Sequence, residues 1–252
     1  MSQSVQSTAP KIAPKISLAA PAYNEEAGIA DVVREWHAAM AAAGIAAEFV
    51  ICNDGSTDRT GQVLAELSRD VPGLRVVGGA TNHGYGHALT SAIAACRGKY
   101  IATIDSDGQF DPADIPTFLR AIEAGGCDAA VGYRVQKRDT PLRVIADRAL
   151  NRIVRFLFDT RLRDTNCALK VVRRELLQSL RLEASGFPLP TEMCIKLEAT
   201  GARCVECPVR HRERAAGESK LKVWRTGWRM MRFLLYLHRR RRLFRRGILR
   251  EF

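Results

Sequence analysis

Apolar and polar positions alternate in short blocks along the first half of the chain. Compact apolar runs predict buried strands at 16–20, 48–52, 74–77, 100–104 and 128–131. Helical spacing of the apolar residues between these runs predicts helices at 25–43, 57–69 and 84–96, and a fourth that begins at Pro112. Because strands and helices alternate at this spacing, the pattern predicts βαβ units and a mostly parallel central sheet in an α/β domain.

Short polar residues and a glycine indicate where the first two helices begin and end. Asn24 is placed to cap the first helix and Gly44 to end it. Ser56 or Thr57 is placed to cap the second helix. Small polar side chains favour these positions because they accept hydrogen bonds from the unpaired N–H groups of a first helical turn.

The pattern changes after Pro141. An arginine-rich helix is predicted at 142–158, a strand at 168–172, a helix at 191–199 and a strand at 203–209. From Leu221 to Leu237, apolar residues recur every three or four positions with Lys and Arg between them, which predicts an amphipathic basic helix. No run of 18 apolar residues occurs, so the pattern predicts no membrane-spanning helix.

The basic excess of the chain is concentrated in residues 210–252. This segment holds 15 of the 39 Lys and Arg residues but 3 of the 27 Asp and Glu residues, so it carries the whole net charge of +12. Such a tail favours a polyanionic partner. Trp224 and Trp228 on its apolar face favour an anionic membrane surface, and we expect no nucleic-acid partner because no reading motif is present. A helix that packs on the protein's own core is the alternative that the pattern leaves open.

Four polar clusters follow apolar strands of the predicted sheet, at 21–25, 53–56, 82–86 and 105–109. A single Asp-Gly turn is usually only a turn. The carboxyl ends of parallel strands, however, lie at one edge of a sheet, where four such clusters can converge on one ligand. The sequence therefore predicts a binding site at this edge.

The fourth cluster has the composition of a divalent metal site. Asp105 and Asp107 leave the strand as two carboxylates separated by one residue, and the amide of Gln109 follows. Hard oxygen ligands at this spacing suit Mg²⁺ or Mn²⁺ that is held together with substrate phosphates. Acidic turns are common at protein surfaces, but the place of this one after a buried strand favours metal binding.

The order of these clusters resembles that of family 2 glycosyltransferases, whose GT-A-type fold is a single nucleotide-binding sheet. The resemblance covers residues 16–135, where the motifs are specific to the family. Later segments resemble polyprenyl-phosphate sugar transferases of the dolichyl-phosphate mannose synthase type. These segments are Gly132-Tyr133-Arg134, Arg143 to Asn151, Asp164-Thr165-Asn166 with Lys170, and Arg214 to Lys220.

This resemblance implies roles for eleven residues. The base and ribose of a nucleotide-sugar would contact Pro21, Tyr23, Glu25 and Asp54. The metal and the diphosphate would be held by Asp105, Asp107 and Gln109. The acceptor phosphate would be surrounded by Arg134, Arg143, Arg214 and Lys220. One position departs from the subfamily, because Asp147 stands where Ser is usual, and its charge repels a phosphate unless an arginine such as Arg148 intervenes.

The chemistry and the resemblance together predict an inverting transfer of one sugar from a nucleotide-sugar to a membrane polyprenyl phosphate. A phosphate acceptor is already ionised near neutrality, so it needs positioning more than deprotonation. A rival reaction with a hydroxyl acceptor on a lipid or glycan needs a general base, for which Glu192 and Asp147 are candidates. A non-catalytic module that binds membranes or RNA is the second rival.

The chain divides by composition into a polar leader at 1–15, a GT-A-type domain at 16–219 and a basic membrane-associating tail at 220–252. The leader lacks the apolar segment of a signal peptide. Seven cysteines form an odd number without a disulfide spacing, which favours a reducing compartment. We therefore expect a peripheral protein on the cytoplasmic face of a membrane.

Overall fold

The computed structural model describes residues 13–137, 140–213, 223–249 and 252. Within them the strands are β1 (Ile16–Ala22), β2 (Ala47–Asp54), β3 (Leu74–Gly79), β4 (Tyr100–Thr103), β5 (Ala129–Arg134), β6 (Lys170–Arg173) and β7 (Cys204–Val209). The helices are α1 (Ile29–Ala42), α2 (Thr60–Asp70), α3 (Tyr85–Ala95), α4 (Ile115–Glu123), α5 (Pro141–Phe158), α6 (Arg174–Ser179), α7 (Leu189–Ala199) and α8 (Val223–Arg245), the last with side chains described from residue 227. Every predicted strand and helix is present. Helix α6 was not predicted, because six residues are too few to show a period.

The strands form one seven-stranded sheet in the order β3-β2-β1-β4-β6-β5-β7. Strands β1 to β4 are parallel, β5 and β7 are parallel to each other, and β6 runs antiparallel to both of its neighbours. The carboxyl ends of β1, β2, β3, β4, β5 and β7 and the beginning of β6 therefore share one edge. The predicted α/β fold with a mostly parallel sheet is confirmed.

Apolar side chains cover both faces of the sheet and hold its edge in place. One layer packs Trp36 of α1 and Phe118 of α4 against Phe49 of β2, all buried. The other layer packs Leu89 of α3 and Met193 of α7 on the opposite face. Burial of such large side chains stabilises a domain by about 1.5–3 kcal/mol each, so the loops at the strand ends are carried on a rigid frame.

The first helix begins four residues later than predicted, and Asn24 does not cap it. Asn24 has a φ of +54°, and its side-chain oxygen accepts a hydrogen bond from the N–H of Thr57 at 2.8 Å. Gly44 ends the helix region at a φ of +65°, as predicted. Asn24, which was expected to cap the first helix, instead connects the loop after β1 to the loop after β2. This contact brings two of the polar clusters together.

Neither of the two predicted residues caps the second helix, whose N-cap position is Arg59, with no side-chain capping bond. Asp58 accepts hydrogen bonds from the N–H of Thr60 at 2.9 Å and from its hydroxyl at 2.6 Å. Ser56 instead donates its hydroxyl to the side-chain oxygen of Asn53 at 2.6 Å. Asp58 and Ser56 thus form local side-chain hydrogen bonds in the loop that enters α2, and the helix begins at Thr60, three residues after Thr57.

The apolar stripe predicted on α8 is divided between two faces of the helix. Met230, Leu234 and Leu237 are buried in a cluster with Val154 and Phe158 of α5. On the outward face, Trp228 and Leu235 are exposed, whereas Leu221 and the side chain of Trp224 lie outside the described residues. The part of the stripe formed by Met230, Leu234 and Leu237 therefore packs on the protein's own core. No helix in the part of the chain that the structure describes is long and apolar enough to cross a membrane.

Candidate functional site

A cleft of about 940 Å³ lies at the edge of the sheet where the polar clusters meet. The residues from the sequence analysis that line it are Pro21, Tyr23, Glu25, Asp54, Asp105, Asp107, Gln109, Arg134 and Arg143. The other two, Arg214 and Lys220, lie outside the described residues. Side chains from five separate segments are thus gathered at one site, and which ligand group each of them binds stays a prediction.

Asp54, at the end of β2, holds the loop that enters α3. One of its buried carboxylate oxygens accepts a hydrogen bond from the N–H of His83 at 2.9 Å, and the other accepts one from the N–H of Gly84 at 2.8 Å. Gly84 has a φ of +94°, which L-residues with a side chain rarely adopt. Besides any contact with a nucleotide, Asp54 therefore shapes the wall of the cleft.

Asp105 and Asp107 are held on either side of a buried serine. The hydroxyl of Ser106 donates to the carbonyl oxygen of Pro21 at 2.7 Å, which ties the loop after β4 to β1. Asp107 accepts the N–H of Gln109 at 3.1 Å. The spacing of the two carboxylates is thereby set by the backbone before any ligand binds.

Tyr85, the first residue of α3, is a site residue that the sequence analysis missed. Its hydroxyl donates to Asp105 at 3.0 Å, and its ring stacks on Phe187 with centroids 5.6 Å apart. Burial raises the pKa of Tyr85 well above its usual value, and the charge of Asp105 raises it further, so the phenol stays protonated and remains a donor. Tyr85 belongs to the polar cluster at 82–86, but the sequence analysis gave it no role because its partners, Asp105 and Phe187, are distant in sequence.

The segment after β7 closes over the acidic part of the cleft. The N–H of Arg212 donates to the carbonyl oxygen of Gln109 at 2.8 Å, and the Gln109 side-chain amide donates back to the Arg212 carbonyl oxygen at 3.4 Å. Phe110 and His211 pair as an isolated β-bridge, and His211 and Glu213 line the cleft. No local pattern in the sequence assigned this segment to the site.

The donor set at this end fits a divalent ion that is shared with a diphosphate. Mg²⁺ sites in nucleotide-dependent enzymes use one or two protein carboxylates and draw the remaining ligands from phosphates and water. Asp105 and Asp107 supply two such carboxylates in one cleft. Among the residues that the structure describes, no group of three or more His, Cys, Asp or Glu is placed to hold a metal. The chemistry therefore favours a shared ion over an all-protein site.

On the β5 side of the cleft, two cations and two carboxylates form a compact cluster. Arg134 donates to both oxygens of Asp164 at 2.8 Å and to Asp147 at 3.3 Å. Lys137 pairs with Asp147 and lies 3.4 Å from Asp164. Arg148 was the expected cation beside Asp147, but it lies on the exposed side of α5. Arg134 and Lys137 take that place, and the cluster as a whole is neutral.

Asp164 and Arg134 form an ion pair at neutral pH. Burial raises the pKa of Asp164, but hydrogen bonds and charge from Arg134, with the charge of Lys137, outweigh burial and hold the pKa at about 2. Burial, and then the neighbouring charge of Arg134, lowers the pKa of Lys137 from its usual value. Asp164 thus stays a carboxylate throughout the physiological range and keeps Arg134 oriented along the cleft.

A buried lysine and an asparagine hold the turn that presents Asp164. Lys170, fully buried at the start of β6, donates to the carbonyl oxygens of Thr165, at 3.3 Å, and Cys167. Asn151 of α5 accepts the N–H of Thr165 at 2.9 Å. Both residues belong to the segments that resembled the polyprenyl-phosphate sugar transferases, and both act here by fixing the backbone next to the cluster.

Glu192, one of the two candidate general bases, does not lie in the cleft. It is 0% exposed on α7, where its carboxylate accepts the N–H of Ala184 at 2.8 Å and that of Glu183 at 2.9 Å. Lys196, one turn later, pairs with it at 2.8 Å. The assignment of Glu192 as a base was therefore wrong, because the side chain supports the 183–184 loop in a buried ion pair.

Comparisons with known proteins show which sequences and structures this chain is similar to. Residues 17–181 match the sequence model described as Glycosyl transferase family 2. The chain is 29% identical over 230 residues to the low-salt glycan biosynthesis hexosyltransferase Agl6 of Haloferax volcanii, covering 89% of this chain and 54% of that protein. It is 32% identical over 216 residues to the dodecaprenyl-phosphate galacturonate synthase of Rhizobium johnstonii, covering 84% and 63%. The chain thus spans between half and two thirds of the length of these relatives.

A solved structure shares the fold. Glucosyl-3-phosphoglycerate synthase from Mycobacterium tuberculosis, in complex with Mn²⁺, uridine-diphosphate-glucose and phosphoglyceric acid, aligns with a TM-score of 0.66. The alignment covers 89% of this chain and 80% of that chain, with 22% sequence identity. The GT-A-type architecture that the resemblance implied is thereby confirmed.

Proposed function

We infer that this chain, which belongs to glycosyl transferase family 2, transfers a sugar from a nucleotide-sugar to a polyprenyl phosphate in a membrane. The observation that carries this inference is a single cleft with a carboxylate pair, Asp105 and Asp107, on one side and Arg134, Lys137 and Arg143 on the other. A metal-diphosphate donor and an anionic acceptor need these two kinds of surface side by side. The relative named as a dodecaprenyl-phosphate galacturonate synthase supports the same acceptor class.

The residues present account for the donor half of the reaction. Asp105 and Asp107 would hold Mg²⁺ or Mn²⁺ together with the diphosphate, and Gln109 would complete the protein's share of the ligands. Such an ion supplies positive charge that stabilises the diphosphate as the bond to the sugar breaks. Tyr85 keeps Asp105 oriented through its 3.0 Å hydrogen bond. Pro21, Tyr23, Glu25 and Asp54 would form the pocket for base and ribose.

The acceptor half requires positioning rather than proton removal. An ionised phosphate oxygen attacks the anomeric carbon from the face opposite the diphosphate, so the new bond forms as the old one breaks and the configuration inverts. The nucleoside diphosphate leaves with the bonding electrons, and no proton needs to move. Arg134, Lys137 and Arg143 line the cleft where the acceptor phosphate would lie. Arg214 and Lys220 stay predictions for the same role.

The proposal includes a peripheral position on the cytoplasmic face of the membrane. The segment 210–252 carries a net charge of +12, and the outward face of α8 exposes Trp228 and Leu235. Each basic residue near an anionic leaflet contributes about 1 kcal/mol of attraction. Removal of the whole helix is a poor test of anchoring, because Met230, Leu234 and Leu237 belong to a buried cluster. Substitutions on the outward face leave that cluster intact.

A donor and acceptor screen tests the function directly. The purified protein is incubated with nucleotide-sugars of different base and sugar, with Mg²⁺ or Mn²⁺, and with or without a short-chain polyprenyl phosphate. Released nucleoside diphosphate and glycosylated lipid are measured. We expect release to depend on both the metal and the lipid phosphate. Absence of turnover with every donor, or turnover with a polyprenol but not its phosphate, would contradict the proposed reaction.

Replacement of Asp54 by Ala is expected to weaken nucleotide binding by about tenfold or more. The carboxylate would be lost both as a partner of the nucleotide and as the acceptor for His83 and Gly84 N–H groups, and a charge-assisted hydrogen bond contributes about 1.5–3 kcal/mol. Calorimetric titration with the preferred nucleoside diphosphate measures the effect, with Asp70→Ala, at the exposed end of α2, as the control. Unchanged nucleotide affinity in Asp54→Ala would exclude the assignment.

Replacement of Asp147 by Ser or Asn distinguishes a phosphate acceptor from a hydroxyl acceptor. Removal of this carboxylate leaves Arg134 and Lys137 balanced by Asp164 alone, so we expect the KM for polyprenyl phosphate to fall by about tenfold with kcat little changed. If Asp147 were instead the base for a hydroxyl acceptor, kcat would fall by about 10²-fold or more. Steady-state kinetics of both variants decides between these opposite outcomes.

A further inference from the structure

The basic helix α8 contacts the loop between α6 and α7 at residues 183–188, which we call the α6–α7 loop. Arg240 of α8 donates to the carboxylate of Glu183 at 2.7 Å, and the hydroxyl of Tyr236, one turn earlier, donates to the same oxygen at 3.3 Å. The side chains of Glu183 and Arg240 are 19% and 18% exposed, so water and salt screen this pair less than a surface pair. One end of the loop is thus attached to α8.

The same end of the α6–α7 loop is held by the buried ion pair of α7. The carboxylate of Glu192 accepts the N–H groups of Glu183 and Ala184, at 2.9 Å and 2.8 Å. Lys196 lies 2.8 Å from Glu192 and 3.1 Å from Glu183. Two carboxylates therefore share one buried lysine, and Arg240 supplies the second positive charge that balances them. The position of the loop depends on α8 as well as on α7.

The α6–α7 loop packs directly on the first turn of α3. The carbonyl oxygen of Ser185 accepts a hydrogen bond from the N–H of Gly86 at 3.0 Å. A Cβ atom at residue 86 would lie 1.9 Å from the carbonyl oxygen of Ala184, so a glycine is required for this close approach. Because no space separates the two backbones, a displacement of the loop is passed to the start of α3.

Phe187, near the other end of the loop, connects it to the carboxylate pair of the cleft. Its ring stacks on that of Tyr85, with centroids 5.6 Å apart and planes inclined by 16°. The hydroxyl of Tyr85 donates to Asp105 at 3.0 Å. Hydrogen-bond partners of a metal-ligating carboxylate fix its orientation, and their loss typically lowers metal affinity by about 10–100-fold. The contacts of the loop therefore converge on one carboxylate of the site.

We propose that Glu183 and Phe187 are positioning residues for Asp105, and that helix α8 holds them in place through Arg240. While Arg240 pairs with Glu183, the α6–α7 loop packs on Tyr85, and the phenol keeps Asp105 in the orientation that binds a divalent metal. When the pair is lost, the loop and Tyr85 gain freedom, and the site binds metal more weakly. The basic tail thus supports the carboxylate pair. The proposal rests on the proposed function only for the presence of a metal at Asp105.

Matched substitutions in the full chain test this coupling. Arg240→Gln removes the partner of Glu183, and Arg239→Gln, the control, removes the same charge from an exposed position of the same helix. Tyr85→Phe removes the hydrogen bond to Asp105 and keeps the ring. Mn²⁺ binding is measured by electron paramagnetic resonance titration, with Mn²⁺ alone and with uridine diphosphate present. The melting temperature of each variant is measured as well.

We expect Tyr85→Phe to weaken Mn²⁺ binding by about tenfold or more, and Arg240→Gln to weaken it by about threefold or more, because the second change acts through several contacts. Arg239→Gln should bind Mn²⁺ as the wild type does. The double variant Arg240→Gln/Tyr85→Phe should bind no more weakly than Tyr85→Phe alone, since the loop acts on Asp105 through the phenol. Arg240→Lys, which keeps the positive charge, should restore most of the affinity.

Wild-type Mn²⁺ affinity in Arg240→Gln, whatever its melting temperature, would overturn the proposal, since Glu183 would then serve stability alone. Losses that add in the double variant would overturn it too, because the two changes would act by separate routes. So would a wild type without Mn²⁺ binding that depends on Asp105. If Mn²⁺ binding follows the expected pattern but no sugar is transferred to any acceptor, the proposed function fails and the coupling stands. The two failures are thus distinguishable.

Discussion

Replacing either Asp105 or Asp107 by Asn is expected to lower the rate of sugar transfer by at least about a thousandfold while leaving the fold intact. Each substitution keeps the shape of the side chain and removes one of the two negative charges that would hold the metal and the diphosphate. Metal-ion stabilisation of developing charge is worth several kcal/mol, and each 1.36 kcal/mol is a factor of ten in rate. Initial rates of nucleoside diphosphate release measure the effect across a range of Mn²⁺ and Mg²⁺ concentrations.

Two further measurements separate a lost metal site from a lost fold. Asp31→Asn, which removes an exposed carboxylate from α1, should leave both rate and melting temperature unchanged. Nucleoside diphosphate binding should depend on metal in the wild type and lose most of that dependence in Asp107→Asn. Full activity of both site variants in metal-chelated buffer would show that the carboxylates serve no metal.

Loss of one partner from the buried pair Glu192–Lys196 is expected to lower the free energy of unfolding by about 3–5 kcal/mol. The carboxylate is fully buried and accepts two backbone N–H groups, and Lys196 also donates to the Arg181 carbonyl oxygen and pairs with Glu183 at 3.1 Å. Lys196→Met therefore leaves a buried carboxylate without its nearest cation. Urea unfolding followed by circular dichroism measures the change for Lys196→Met and Glu192→Gln.

The double variant is expected to lose less stability than the sum of the two single losses, since each single loss includes the penalty of a charge left unpaired. Glu66→Gln, on the exposed side of α2, is the matched control and should change stability by no more than about 0.5 kcal/mol. Wild-type stability of Glu192→Gln combined with abolished transfer would contradict this role, because that result belongs to a general base.

The donor side of the site was predictable because its determinants are local. Each polar cluster follows directly after an apolar strand, and parallel connection brings the ends of such strands to one edge whatever the details of packing. Asp54, Asp105 and Asp107 therefore line one cleft, as the pattern indicated. The misplaced caps, at Asn24 for the first helix and at Ser56 or Thr57 for the second, shifted the predicted helix starts by a few residues and left this edge unchanged.

The acceptor side was less predictable because its chemistry depends on partners far apart in the chain. Asp147 is compensated by Lys137 and Arg134 rather than by its sequence neighbour Arg148, since the helix turns Arg148 to the outside. Glu192 has the residue type of a base but is buried with Lys196. Tyr85 reaches Asp105 across 20 positions. Residue types and their spacing within one segment give no information on contacts between residues that are far apart in the chain.

The sequence by itself determined the α/β class, the succession of strands and helices, the edge at which a ligand site forms and the concentration of positive charge in residues 210–252. These follow from the periodicity of apolar residues, from the right-handed crossover connection between parallel strands and from the count of charged residues. Only the tertiary structure decided which face of α8 packs on the core, which loop beside the cleft that helix contacts, and which carboxylates are paired. An amphipathic pattern states that one face differs from another, whereas burial and the pairing of charges depend on which other elements come to lie against that face.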